Sequence, residues 1–125
     1  MPTALTEFAQ HLALTDGEVA TLRALLSMSP VAARGEPTLV PTADLHRAFW
    51  PGGYAGDDID AAIAKRVEPL VLTQRKIKRG LSTWSFPVLD EFELRAGAPF
   101  LNFKFNRTFC EGLRGLVESR GLELF

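Results

Sequence analysis

Residues 59–79, "IDAAIAKRVEPLVLTQRKIKR", contain the change of periodicity that decides the fold class. In the first half of this stretch the apolar residues recur at helical spacing, so they form one stripe along a helix. In the second half apolar and polar residues alternate, which is typical of a strand. We therefore predict a helix that ends at Pro69, a strand over residues 70–78, and an α+β fold.

The residues before this stretch contain start signals for three more helices. Thr3 is placed to cap a first helix, and Thr15 with Glu18 has the spacing of a capping box at the start of a second. Thr42 is placed to cap a third helix, which Pro-Gly-Gly at 51–53 ends. These signals predict four helices in the first half of the chain.

The fourth helix, which lies in the opening stretch, begins in a cluster of acidic residues. Asp57, Asp58 and Asp60 lie at the positive end of its dipole. Lys65 and Arg66 lie in its predicted last turn, where positive charge is favourable. The charges at both predicted ends of this helix therefore interact favourably with its dipole.

The residues after the opening stretch alternate in the manner of strands. "RGLS" predicts a turn, and "TWSFPVLDEFELR" at 83–95 predicts a second strand, with a bulge or an edge at Pro87. After a turn at "RAGAP", 95–99, the sequence "LNFKFN" at 101–106 alternates most regularly. With a possible short edge strand at 39–40, these segments predict a three-stranded antiparallel sheet, in which the strands at 70–78 and 83–95 form a β-hairpin.

A closing helix is predicted over "RTFCEGLRGLVES", residues 107–119, with its phenylalanine, leucines and valine on the inner face. Gly112 and Gly115 lie inside it, and each weakens the helix by about 1 kcal/mol relative to alanine. The sequence thus contains about five helices. Its nine phenylalanines and two tryptophans predict an aromatic-rich core.

The composition is that of a globular protein of one domain. The chain has 125 residues, 46% of them hydrophobic, and we predict a single domain over 1–125. No apolar run approaches the roughly 18 residues that span a bilayer, and the N-terminus lacks the cationic start of a signal peptide. The single cysteine is compatible with a reducing compartment. We expect a cytoplasmic protein without a membrane partner.

The formal net charge of −1 hides a strong asymmetry along the chain. Residues 1–64 carry three bases and eight acids, whereas residues 65–79 carry six bases and one acid. If these bases converge on one side of a hairpin, they can neutralise the phosphates of a nucleic acid. The alternative is that they only solubilise the hairpin and protect an edge strand. The predicted DNA-binding residues are Lys65, Arg66, Arg75, Lys76, Lys78 and Arg79.

The residues that usually carry catalysis or metal binding are isolated in this sequence. His11 and His46 are each alone in their helices, and one cysteine is too few for a structural zinc site. The three aspartates at the start of the fourth helix are more typical of caps than of a cation site. Cys110 lies beside an apolar helix face, where a buried thiol is inert. We expect no enzyme, no cofactor and no metal.

The order of elements and three segments resemble a known family. The segments are "AIAKRVEPLVLTQRKIKRG", "STWSFPVLDEFEL" and "PFLNFKFNRTFCEGL", within about residues 15–118. They resemble the N-terminal winged-helix domain of plasmid replication initiators. The resemblance implies a winged helix-turn-helix fold that binds plasmid-origin DNA, dimerises or contacts the phosphate backbone, while a second such domain reads the bases. The 125 residues hold one such domain, so we expect a single module.

The leading hypothesis is therefore a non-enzymatic winged-helix module that contacts mainly DNA phosphates, as a dimer or beside another protein. The acidic start of the fourth helix argues against that end lying in a major groove, because its carboxylates would face phosphates. The alternative is a protein-interaction or dimerisation module without DNA binding. In that case "LNFKFN", the bulge at Pro87 and the aromatic residues Phe49, Trp50 and Tyr54 would form the docking surface.

Overall fold

An α+β fold is seen in the computed structural model, which describes residues 2–95 and 97–125. A three-stranded antiparallel sheet has the order β1-β5-β4, and a separate hairpin pairs β2 with β3. In the predicted turn at 95–99, Ala96 lies outside the described residues. The elements are α1 (Ala4–His11), α2 (Asp16–Met28), a 3₁₀ helix (Pro30–Arg34), β1 (Thr38–Pro41), α3 (Thr42–Phe49), α4 (Ile59–Leu72), β2 (Arg75–Arg79), β3 (Ser82–Phe86), β4 (Leu89–Glu93), β5 (Phe100–Phe105) and α5 (Arg107–Arg120).

Two of the three predicted helix caps are confirmed. The Thr3 hydroxyl accepts a hydrogen bond from the Thr6 amide, and Thr15 and Glu18 form a complete capping box. The third prediction is wrong, because Pro41 occupies the cap position of α3. Thr42 instead donates its hydroxyl to the Ala98 carbonyl at 2.9 Å, which ties the start of α3 to the segment before β5.

The predicted end of α4 at Pro69 is also wrong, since the helix continues to Leu72. Pro69 and Lys65, whose carbonyl loses its amide partner to the proline, are both exposed residues. Leu70 follows Pro69 and is fully buried, which keeps the chain helical for another turn. The strand accordingly begins at Arg75 and not at residue 70.

The predicted strand over 83–95 is divided at Pro87 into two strands that belong to different sheets. Proline lacks the amide that a continuous ladder needs, and Val88 behind it is fully buried. As a result, β4 pairs with β5, and β1 pairs with the other side of β5. The basic hairpin β2–β3 shares no strand with this sheet.

The core is rich in aromatic side chains, as predicted. Phe103, Phe105 and Phe109 are fully buried, and the rings of Phe8 and Phe105 each stack on Phe109 with centroids 5.7 Å away. Trp84 is an exception, because 47% of its surface is exposed on the hairpin. No helix in the described ranges is long and apolar enough to cross a membrane.

The two glycines of α5 differ in their surroundings, so their replacement by alanine should have opposite effects. A Cβ at Gly112 would overlap the ring of Phe8, whereas a Cβ at Gly115 would meet no other atom. We expect Gly115→Ala to raise the free energy of unfolding by about 0.8 kcal/mol. We expect Gly112→Ala to lower it by about 1–3 kcal/mol, because the packed ring must move. Urea denaturation measures both, and stabilisation by Gly112→Ala would contradict this packing of α1 on α5.

Candidate nucleic-acid interface

One face of the hairpin β2–β3 carries only cationic and hydroxyl side chains. Lys76 pairs across the ladder with Ser85, and Lys78 pairs with Thr83. Directly opposed residues point to the same face of a sheet, so these four side chains form one polar surface. All four are exposed. Ammonium and hydroxyl groups are common donors to phosphate oxygens.

The opposite face of the hairpin attaches it to the body of the protein. Ile77 and Trp84 are cross-strand neighbours on this face, and Ile77 packs against the core. The Arg79 guanidinium lies over the Trp84 ring, 4.8 Å from its centroid. Arg79 is an exposed residue, and no hydrogen bond or ion pair of its guanidinium is found among the described residues.

Arg75 holds the base of the hairpin to α2. Its guanidinium lies 2.6 Å from a Glu18 carboxylate oxygen, and the two side chains are only 13% and 12% exposed. Glu18 also accepts the Thr15 amide through its other oxygen, so one carboxylate both caps α2 and fixes β2. Arg75 was predicted to bind DNA, but its pairing and burial make it part of the scaffold.

Lys65 and Arg66 do not join the hairpin cations in one groove. Because α4 continues to Leu72, its last turn contains no basic residue, and the prediction that they lie there is wrong. Arg66 stacks over Phe49 at 5.0 Å and over Trp50 at 5.6 Å. Lys65 is exposed. The six predicted residues therefore divide into three on the free part of the hairpin, one anchor and two on α4.

The free hairpin cations line an open groove between β2 and α1. Its volume is about 430 Å³, and we name it the basic groove. Among the residues that the structure describes, no carboxylate lines it, although the chain as a whole carries 15 acidic residues. The lining residues are Phe8, His11, Lys76, Ile77, Lys78 and Arg79.

Sequence reasoning missed the contribution of α1 to this groove. His11 is exposed at the end of α1 and supplies an imidazole to the lining, and Phe8 contributes part of the wall. Neither residue carries a sequence signal for ligand binding, since each fits an ordinary amphipathic helix. Only the approach of the hairpin to α1 brings them to the cations.

Two of the three aspartates at the start of α4, Asp58 and Asp60, have structural partners. Asp58 caps the helix by accepting the Ala61 amide at 3.0 Å, and Asp60 lies 2.7 Å from the His46 imidazole. Within residues 2–95 and 97–125, no group of three His, Cys, Asp or Glu side chains could hold a metal ion. These acids therefore join α3 to α4 and fix the start of the helix.

Part of the predicted aromatic docking surface lies inside the protein. Phe103 and Phe105 of "LNFKFN" are fully buried, so they are not available to a partner. Phe49, Trp50 and Tyr54 form a half-buried chain of ring contacts, with centroids 5.8 and 4.7 Å apart. Arg66 covers the first two of these rings.

Cys110 is buried in α5, and burial raises the pKa of its thiol to about 11, against the opposing effect of the Arg114 charge. At pH 8 we expect iodoacetamide to alkylate the folded protein about two orders of magnitude more slowly than the unfolded chain, because the thiolate is the reactive form. Mass spectrometry with and without urea measures the two rates. Equal rates would contradict the burial of this side chain.

The geometry thus offers a basic groove with an adjoining cationic hairpin face as the candidate site. The groove is built from β2 and α1 and the hairpin face from β2 and β3, and the Glu18–Arg75 ion pair joins β2 to α2. Comparison of the chain with models of protein families, with curated proteins and with solved structures finds no match.

Proposed function

We propose that the protein is a non-enzymatic DNA-binding module that contacts phosphates through the basic groove and the polar face of the hairpin. The observation that carries this proposal is the lining of the groove, in which Lys76, Lys78 and Arg79 face no carboxylate among the described residues. Uncompensated cations in a concave surface attract a polyanion and gain from the release of its counterions. The bases of the hairpin thus have a role beyond solubility.

The chemistry of the surface favours recognition of the backbone over recognition of bases. Lys76 and Lys78 supply ammonium groups, and Thr83 and Ser85 beside them supply hydroxyl donors. Contacts of this kind position a protein on DNA without reading its sequence. We therefore expect affinity that falls steeply with salt and varies little between DNA sequences.

The topology supports a winged-helix interpretation with a changed assignment of the wing. In that interpretation α2, β1, α3 and α4 are followed by a hairpin whose second strand pairs with β1. Here the hairpin β4–β5 occupies that position, because β1 pairs with β5. The basic hairpin β2–β3 is then an additional arm after α4. This arrangement is compatible with the proposed relation to the first domain of plasmid replication initiators.

A second candidate function, dimerisation or protein binding, is favoured by one observation. Leu39 on the edge strand β1 is 62% exposed, and Phe100 on β5 is 52% exposed. The pairing of Leu39 with Asn102 and of Pro41 with Phe100 places these residues on the same outer face of the sheet. Exposed apolar side chains on an edge strand are suited to contact with another chain.

A salt titration of DNA binding together with a measurement of solution mass separates the two candidates. Fluorescence anisotropy with a labelled duplex of arbitrary sequence measures the association constant. Its logarithm should fall linearly with the logarithm of the salt concentration. For three phosphate contacts we expect a slope of about −3. Absence of binding at low salt, with a dimeric mass by light scattering, would contradict DNA binding and support the second candidate.

A further inference from the structure

A second cationic groove lies between the 3₁₀ helix and α5. It has a volume of about 580 Å³ and shares no lining residue with the basic groove. Three arginines line it, Arg34, Arg107 and Arg114, together with Glu36 and Glu111. These residues were not predicted as a site, because no local sequence pattern joins Arg34 to α5.

The three guanidinium groups are free to bind a ligand. In the part of the chain that the structure describes, no carboxylate oxygen lies within 4.0 Å of any of them. Glu36 and Glu111 line the groove without forming ion pairs, so the arginines keep their hydrogen-bond donors. Guanidinium groups bind carboxylates and phosphates in a bidentate manner, and phosphate offers more acceptor oxygens.

Close backbone packing places Arg34 beside α5. Gly35 follows Arg34 and has a φ of +74°, and a Cβ at this position would lie 3.4 Å from the Arg107 Cα. The Cys110 thiol donates to the Ala32 carbonyl at 3.7 Å and fixes the same 3₁₀ helix on α5. The backbone segments that carry Arg34 and the arginines of α5, which are distant in sequence, are thus held together by buried contacts.

The position of Arg107 is unfavourable without an anion. It is the first residue of α5, a helix of 14 residues, and its first turn contains no acidic residue. A cation is destabilised at the positive end of a helix dipole, where an anion is stabilised. The Asn106 side chain already accepts the Thr108 and Phe109 amides, so an anion here would be bound by side chains and not by these two amides. An anion at this place would therefore be held by the arginines and stabilised by the dipole.

We infer that this groove binds a phosphate monoester through Arg34, Arg107 and Arg114. The two glutamates of the lining would accept hydrogen bonds from hydroxyl groups of such a ligand. Phosphate chemistry of this kind has two sources, the terminal phosphate of a nucleic acid and a free phosphorylated small molecule. This inference does not depend on DNA binding by the basic groove.

Isothermal titration calorimetry with inorganic phosphate tests the site directly. We expect binding by the unmodified chain and a loss of affinity of about tenfold or more in Arg107→Gln and in Arg34→Gln. Arg107→Lys keeps the charge but loses the bidentate geometry of the guanidinium, so its loss of phosphate affinity should be intermediate. The matched control is Arg23→Gln, since Arg23 is exposed on α2 and lines neither groove. No detectable phosphate binding, or equal binding by Arg107→Gln and the unmodified chain, would overturn the inference.

Two further arms identify the source and separate this inference from the proposed function. A short DNA oligonucleotide with a 5′-phosphate should bind more tightly than the same strand without it if the source is a nucleic acid end. If the 5′-phosphate adds nothing while inorganic phosphate binds, the source is a small molecule. The variant with glutamine at Lys76, Lys78 and Arg79 should keep its affinity for inorganic phosphate. Loss of phosphate binding in that variant would contradict a separate site.

Discussion

Replacing Lys76, Lys78 and Arg79 together by glutamine is expected to lower the affinity for duplex DNA by about two to three orders of magnitude near 0.1 M salt. Each lost phosphate contact removes about one unit from the slope of the logarithm of affinity against that of salt concentration. The triple variant should therefore have a slope about three units flatter. Anisotropy titrations over a series of salt concentrations measure both quantities.

The matched control removes three other cations from the surface. Arg23, Arg47 and Arg95 line no part of the basic groove, and the latter two are paired with Asp44 and Glu93 on exposed surfaces. Their replacement by glutamine changes the net charge by the same amount as the groove variant. If both variants lose the same affinity, the net charge and not the basic groove determines binding.

Replacing Glu18 by glutamine is expected to lower the free energy of unfolding by about 3 kcal/mol. Glutamine keeps an oxygen for the Thr15 amide, so the change removes mainly the charge opposite Arg75. The Arg75 guanidinium then remains largely buried without a counter-ion, and its Nε already has no hydrogen-bond partner within the described residues. Removal of one partner from a buried ion pair lowers the free energy of unfolding strongly because the other charge stays buried without compensation. Urea denaturation followed by tryptophan fluorescence measures the change.

A double variant separates the loss of the charge from damage to α2. Glu18→Gln with Arg75→Met removes the stranded guanidinium, and its stability should return to within about 1 kcal/mol of the original chain. Asp44→Asn is the exposed counterpart, since it breaks the surface pair with Arg47, and should cost less than about 1 kcal/mol. If the double variant is no more stable than Glu18→Gln, the ion pair is not the source of the effect.

Local signals in the sequence were sufficient where structure depends on neighbouring residues. The cap at Thr3 and the capping box at Thr15 are confirmed because hydrogen bonds between residues three apart form within the helix itself. The strand "LNFKFN" is confirmed because its alternation matches a sheet with one buried face. The α+β class follows from signals of this kind.

The errors occur where distant contacts override local preference. Pro69 was expected to end α4, but the burial of Leu70 outweighs the lost hydrogen bond. Thr42 was expected to cap α3, but its hydroxyl bonds to Ala98, 56 residues away in sequence. No pattern in a single sequence encodes such partners.

The same reason explains what was found and missed at the site. A run of bases in sequence predicted the cationic hairpin, but not that Glu18 would pair with Arg75 across 57 residues. The approach of His11 to the hairpin and of Arg34 to α5 also arises only from tertiary packing. The clustering of bases in the sequence therefore predicted that Lys76, Lys78 and Arg79 share one hairpin. It did not predict which residues of other elements lie beside them.

The separation of the hairpin β2–β3 from the three-stranded sheet has a consequence for its dynamics. Because the two ladders share no strand, the amides of the hairpin can open to solvent while those of β5, paired on both sides, stay closed. Deuterium should therefore enter the backbone of the hairpin well before that of β5. Occupancy of the basic groove should slow this uptake, which would make the hairpin a direct reporter of the bound state.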